Sequence, residues 1–356
     1  MNKKLIAVAV AGACIAPAAM AQTANPVTLY GRVFVAFESV EATGGTGANL
    51  PRRSRVEDRN SFFGIKGTED LGGGLKAVFQ LESQFKLDQN DTTFANRNSG
   101  VGLQGNWGTF ILGRWDSPMK TTQTAVDPWG DNELPDITGA ALRQGQFSER
   151  FKNSVQYWSP NWAGFNMRLM YVANEGRSST INPYAYGASL AWATGPFYLA
   201  YAYEKHKSCL IASGSAAASS SCVPTAGTEE DGNAIAGSYR FGPVKLDGQY
   251  GEYKRTGSEK QKSYQVGVEW FIGNNVILAS YSRSKDGGAD GTVQPECKLF
   301  GVGYRYDFSK RTSFIANYAK VDNEVGTLCN FGQGAISGIT AGQDPKGFAI
   351  GVRHLF

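Results

Sequence analysis

VTLYGRVFVAFES, residues 27–39, alternates: Leu29, Val33, Val35 and Phe37 fall on one face of an extended strand, and Tyr30, Arg32, Phe34 and Glu38 on the other. Successive side chains of a strand point to opposite faces, so one face suits apolar surroundings while the other can carry charge. The rhythm returns in SFFGIKGTE (61–69) and, after a glycine turn at DLGGG (70–74), in LKAVFQLESQFKL (75–87). Between the first two of these lies a polar loop with Gly44-Gly45 and the basic run PRRSR (51–55). One such strand would also fit a soluble sandwich that buries its apolar set.

The order of the connections separates the two architectures. Tight turns at Asp70 to Gly74, Asn106 to Gly108, Asn161 to Gly164, Gly195-Pro196, Gly242-Pro243, Gly273 to Asn275 and Ser309 to Arg311 alternate with longer polar loops. Short turns on one rim and long loops on the other are the mark of outer-membrane barrels. Further strands are expected near 97–105, 109–115, 149–159, 164–173, 184–193, 197–206, 232–241, 244–254, 262–272, 276–284, 298–307, 312–321 and 346–356. With the first three, the count is sixteen. Aromatics such as Tyr157, Trp158, Trp162, Tyr201, Trp270 and Tyr304 stand near strand ends, as girdles at a membrane–water boundary do. Beyond the N-terminus no apolar run is long enough for a spanning helix, so a membrane form must be a closed barrel. The expected fold is all-β: a 16-stranded antiparallel transmembrane β-barrel, apolar outside and polar inside.

Lys3 and Lys4 precede the apolar run Leu5 to Ile15, which ends in Ala19-Met20-Ala21, the pattern of a cleaved secretory signal. The expected division is therefore a signal peptide over 1–21 and a single barrel domain over 22–356. Loss of Lys3 and Lys4 lowers the formal charge from +4 to +2, too small a balance to suggest nucleic acid. Cys14 leaves with the signal, and Cys209, Cys222, Cys297 and Cys329 remain where disulfides form. Of three possible pairings, Cys209–Cys222 flanking SGSAAASSS is preferred, with Cys297–Cys329 as the second; no Cys-x-x-Cys spacing points to zinc or redox work.

One stretch breaks the alternation. DSPMKTTQTAVDPWGDNELPDITGAALRQGQFS, residues 116–148, is long and aperiodic, with Asp116, Asp127, Asp131, Glu133 and Asp136 against Lys120 and Arg143. Loops of this length without an element of their own work as lids, binding loops or constrictions, and this one is expected to fold into the barrel and narrow it. Opposite charges facing across a narrow water channel would order water and dipolar solutes there. A calcium site on Asp127, Asp131 and Glu133 is disfavoured, because Pro128 and Trp129 interrupt the required spacing. Gly72-Gly73-Gly74 reads as a turn and no cofactor is expected. An outer-membrane enzyme finds no support either: the only histidines are His206, beside Lys205 and Lys207 at a strand end, and His354, on the apolar face of the last strand. A solute-specific channel would show a file of lumen aromatics, where Gly187, Ser189, Ala191, Gly301, Gly303 and Arg305 stand instead. A surface adhesin would use the loops between Cys209 and Cys222 or from Gly326 to Gln343, which read more simply as hydrophilic loops.

The blocks LYGRVFVAFE (29–38), GIKGTEDLGGGLKAVFQLE (64–82), GLQGNWGTFILGR (102–114), KNSVQYWSPNWAGF (152–165) and the terminal GVRHLF resemble the general porins of Gram-negative outer membranes, particularly those of beta-proteobacteria. The resemblance spans the mature chain. It implies an outer-membrane homotrimer of sixteen-stranded barrels with short periplasmic turns, long external loops and a third loop folded inward. Small hydrophilic solutes and ions would diffuse passively through each water-filled pore. It also implies that Phe356 is the terminal signal read by the barrel-assembly machinery, and that basic wall residues face the loop acids. By position the wall set is Arg32, Arg97 and Lys152, with Arg150 on the same face as Lys152 by parity. Related sequences often carry Arg where this chain has Phe62. Weak anion preference is the expectation.

Overall fold

Seventeen strands and one short helix make up the described part of the chain, and the strands join into a single antiparallel sheet that closes on itself. The computed structural model describes residues 27–89, 93–130, 133–136, 147–211, 222–285, 296–332 and 334–356. The expected signal segment 1–21 and Asp131 lie outside them. The strands are β1 (Val27–Gly44), β2 (Leu50–Asp58), β3 (Phe62–Gly72), β4 (Leu75–Gln84), β5 (Ser99–Gly105), β6 (Gly108–Asp116), β7 (Arg150–Trp158), β8 (Phe165–Val172) and β9 (Tyr184–Thr194). They continue as β10 (Phe197–Ile211), β11 (Cys222–Phe241), β12 (Val244–Arg255), β13 (Gln261–Ile272), β14 (Asn275–Lys285), β15 (Glu296–Asp307), β16 (Thr312–Asn323) and β17 (Gln343–Leu355). Helix α1 (Pro118–Thr124) lies between β6 and β7.

Seventeen strands form sixteen staves, because β2 and β3 are two halves of one. β1 pairs with β2 from Val35↔Asp58 to Ala42↔Leu50 and with β3 from Val27↔Gly67 to Arg32↔Phe62. Residues 59–61 form the break, with Asn60 at φ 57. The backbone groups there stay satisfied: Arg59 N–H donates to Phe34 O at 2.8 Å, and Phe34 N–H donates to Ser61 Oγ at 2.9 Å. The barrel closes between β1 and β17, in register from Arg32↔Leu355 to Gly44↔Gln343. At that seam Gly31 and Phe356 exchange both backbone hydrogen bonds at 3.1 Å.

Burial is inverted relative to a water-soluble protein. Glu38, Glu82, Gln156, Gln249 and Ser282 are buried, whereas Leu29 is 62 % and Val266 56 % exposed. Large apolar side chains on the outer face and polar ones inside are what lipid outside and water inside demand. Among the described residues no helix is long and apolar enough to cross a membrane; the strands do so. Trp162, Tyr201 and Trp270 are exposed on the outer face. Trp158 departs from that girdle, because its Nε1–H donates to buried Gln156 at 3.0 Å and Arg168 lies over its ring.

The structure corrects three details of the sequence reading. PRRSR is part of strand β2 rather than a loop: Arg53 Nη2 donates to Ser337 O at 2.7 Å and Arg55 bonds the carbonyls of Gly334 and Ala335, so this stave holds the outer loop 324–342. β11 starts at Cys222 rather than near 232, in a hairpin whose upper part pairs up to Ile211↔Cys222. The stretch after β6 also holds an element of its own. Ser117 caps α1 by accepting Lys120 N–H at 3.1 Å, and Pro118 occupies the first turn, where a missing N–H costs nothing.

Candidate functional site

The described residues between β6 and β7 lie along the inside of the barrel, and small wall residues make their bed. Met119 of α1 is fully buried against Ala202, Ala234 and Tyr253, and Gln123 Nε2 donates to Tyr253 Oη at 3.0 Å. Pro128 then lies against Gly267 of β13, where a Cβ would come within 3.0 Å of it. Trp129 follows: its Nε1–H donates to Ser280 Oγ of β14 at 2.7 Å, and its ring covers Gly303 of β15, where a Cβ would sit 2.7 Å from it. Farther on, Glu133 accepts from Asn317 Nδ2 of β16 at 3.0 Å, and Leu134 packs with Val40 and Ala349 of β1 and β17. On the return limb, Phe147 stacks on His206 at 4.6 Å, and Ser117 N–H donates to Glu149 O at 2.9 Å to tie the two ends together. The described residues of the loop thus rest mainly on the wall from β9 to β17 and reach β1 at Val40.

The opposite half, β1 to β8, carries arginines. Arg32 donates from Nε and Nη2 to Asn60 O at 3.2 and 2.8 Å, with its guanidinium 5.2 Å from the centre of the Phe62 ring. Arg97 lies just before β5 rather than at its head; it ion-pairs with Glu82, and its guanidinium is 4.7 Å from the same ring. Arg150 pairs with Asp116 at 3.0 Å and donates from Nε to Asn98 Oδ1 at 2.8 Å, while Asn98 Nδ2 donates to Asp116 Oδ2 at 2.8 Å. Arg168 of β8 stands over Trp158 at 5.2 Å and reaches Thr121 Oγ1 at 3.4 Å. These four cations share their half of the wall with the acids Glu82 and Asp116, and with buried Glu38, which pairs with Arg55 and Arg59.

Several site residues expected from sequence sit elsewhere. Lys152 is exposed and takes no part in the arginine contacts described above. Asp116 is the partner of Arg150 at the base of the loop rather than an acid across the channel from it. Asp127 is buried and accepts Trp129 N–H at 3.0 Å, which shapes the turn carrying the indole. Glu133 and Asp136 are buried toward the wall; burial pushes the Glu133 carboxyl up to about 7, opposed by the charges of Arg353, Arg305 and Arg59. The loop acids therefore serve the seat of the loop. Asp131 lies outside the described residues.

Arg168 is legible by its even parity with Met170 and Val172, both buried. Trp129 was visible in DPWGDNE without any sign of what it packs on. Cys209 and Cys222 are bonded across the top of the β10–β11 hairpin, with Cα atoms 4.8 Å apart. Cys297 and Cys329 tie the outer loop 324–342 to β15, with Cα atoms 6.3 Å apart.

A closed antiparallel barrel with an apolar exterior, a charged interior and a loop across its lumen is a membrane pore that sorts solutes by size and charge. The chain belongs to the Gram-negative porin family, whose model matches residues 7–326. It is 32% identical to outer membrane porin protein 32 of Delftia acidovorans, with all of both chains covered. It is 29% identical to a major outer membrane protein P.IB of Neisseria gonorrhoeae over 89% of this chain and 92% of that one. In fold it is similar to the anion-selective porin from Comamonas acidovorans, with a TM-score of 0.76 and 27% identity over 93% of this chain and 100% of that one. The protein is an outer-membrane general-diffusion porin that passes small hydrophilic solutes and ions through a water-filled pore.

Proposed function

We propose that this porin favours small hydrophilic anions, and that the bias arises where Arg32, Arg97, Arg150 and Arg168 face the inward loop. The observation that carries the reading is the placement of the charges: Glu133, Asp127 and Asp136 are buried, while the four arginines stand on the wall between β1 and β8. A lumen lined by one sign of charge raises the local concentration of the other. The solved neighbour described as anion-selective supports the same sign.

Residues 1–21 act as a cleaved export signal, 116–148 as the constriction loop, and the mature chain works as a homotrimer in outer-membrane lipid. Phe356 serves the barrel-assembly machinery, and its backbone pairing with Gly31 at the seam of β1 and β17 supports a part in closure. No catalysis is assigned. His206 has both ring nitrogens bonded to carboxylates, at 2.9 Å from Glu204 and from Glu230, and His354 Nδ1 bonds Thr312 Oγ1 at 2.9 Å.

Zero-current potentials of the purified protein in planar bilayers, across a potassium chloride gradient, test the sign. The expected potential is that of a chloride-preferring pore. A potential of the opposite sign would reject the reading.

A further inference from the structure

Phe62 opens β3 opposite Arg32, and its surroundings form a patch of alternating rings and cations. Arg32 is its direct cross-strand neighbour on β1. Arg32 and Arg97 approach the same ring at 5.2 and 4.7 Å. Tyr30 meets Phe62 edge-on, with centroids 6.2 Å apart at 71°. Its ring lies over Gly64, where any Cβ would collide with it, and Lys66 sits 5.0 Å over it on the far side from Phe62 along β3. Glu82 holds the group together, taking the Tyr30 hydroxyl at 3.1 Å and pairing with Arg97.

From this arrangement we infer that the patch is a subsite for small aromatic carboxylates in transit through the pore. The inference rests on the anion-preferring reading and specifies its substrate class. Aromatic rings offer an edge or a face to another ring, and guanidinium groups both stack on rings and bind carboxylates through paired N–H donors. The three cations Arg32, Lys66 and Arg97 surround two rings and a single acid, Glu82. An anion with a planar ring satisfies both kinds of group at once, whereas a saturated anion of equal charge and size satisfies only the cations. Tyr30 and Phe62 are both half-buried and Lys66 is exposed, so the patch is accessible from the lumen.

The test compares benzoate with cyclohexanecarboxylate, which share charge and approximate size and differ in aromaticity. Bi-ionic potentials against chloride, measured in planar bilayers with the purified porin, give the permeability of each. The wild type should favour benzoate over cyclohexanecarboxylate by about threefold, the scale of one exposed ring–cation contact. The double variant Phe62→Leu/Tyr30→Leu should bring that ratio to about one. Equal permeabilities in the wild type, or a ratio that survives the double substitution, would overturn the subsite. Chloride conductance in the same membrane establishes that each variant is an open pore. Preference for potassium over chloride would defeat the anion reading itself, a separate result from a flat benzoate ratio.

Discussion

Trp129 and Ser280 are joined across the lumen: the indole Nε1–H donates to the hydroxyl at 2.7 Å, and the ring lies on the glycine face of β15 beside it. This one side chain joins the middle of the inward loop to the far wall. Truncating a fully buried tryptophan costs about 3–5 kcal/mol, and here the loss falls on the contact that holds the loop rather than on the barrel ladder. Trp129→Ala should therefore leave a folded barrel with larger and noisier single-channel conductance. Gly303→Leu should do the same from the other side, because its Cβ would sit 2.7 Å from the ring. Unchanged conductance in both would show that the loop does not set the pore's width.

Arg97 and Lys152 make a matched pair for testing the charge map. In water a unit charge about 8 Å from a passing ion contributes about 0.5 kcal/mol, or roughly a twofold change in permeability. Arg97→Gln should lower the chloride-to-potassium permeability ratio by about that factor. Lys152→Gln should leave it unchanged, since Lys152 is exposed and takes no part in the contacts that gather the arginines. A shift with Lys152→Gln and none with Arg97→Gln, read from zero-current potentials, would reverse the assignment.

The contrast between these two residues also shows what a sequence can disclose about a barrel. Within the lipid zone, alternation is enforced by the solvent on each side, and Leu29, Phe37 and Val266 obey it. Above that zone both faces are wet and the pattern fades. Arg52 is exposed on the outside of β2 and Arg53 and Arg55 bond loop carbonyls from the other face, so PRRSR resembles a loop until its pairing with β1 is seen. The start of β11, with Pro224 and the acids Glu229 to Asp231, hides for the same reason. Parity also fails at irregularities: the β6–β7 register shifts between Gly113 and Trp115, and Asn153 takes a φ of 53. The acids of the loop were legible as charges, but their direction was not. Glu133 turns to the wall because Asn317 and nearby arginines are there to receive it.

Glu133 gives the loop a dependence on pH whose sign can be worked out. Burial raises its carboxyl from an ordinary value of 4.5 to about 7. Between those values the folded protein holds a proton that the unfolded chain has released, so the stability associated with this site is full below about 4.5 and is lost as pH rises through 7. The span corresponds to a contribution on the order of 3 kcal/mol. Thermal unfolding in detergent between pH 4 and pH 9 should show the wild type losing stability relative to Glu133→Gln as pH rises, with the difference levelling off above about 7. A constant difference across the range would mean that Glu133 does not change protonation on folding.

The Cys297–Cys329 bridge reaches the same region from outside. It spans 32 residues of chain and fastens the outer loop that contributes Phe331 and Ile336, both buried against Leu134 at the tip of the inward loop. Closing a loop of this size stabilises a fold by about 2–4 kcal/mol. The double variant Cys297→Ser/Cys329→Ser removes the fastening without touching the barrel ladder. It should lower the unfolding temperature and, because Phe331 and Ile336 loosen with the outer loop, add fluctuations to the open-channel current. The Cys209–Cys222 bridge supplies the internal comparison: it sits on the β10–β11 hairpin and packs with Phe151, Met170 and Val172, away from Leu134. Removing that pair should lower stability while leaving the current quiet. Equal current noise in the two double variants would mean that the outer loop does not brace the constriction.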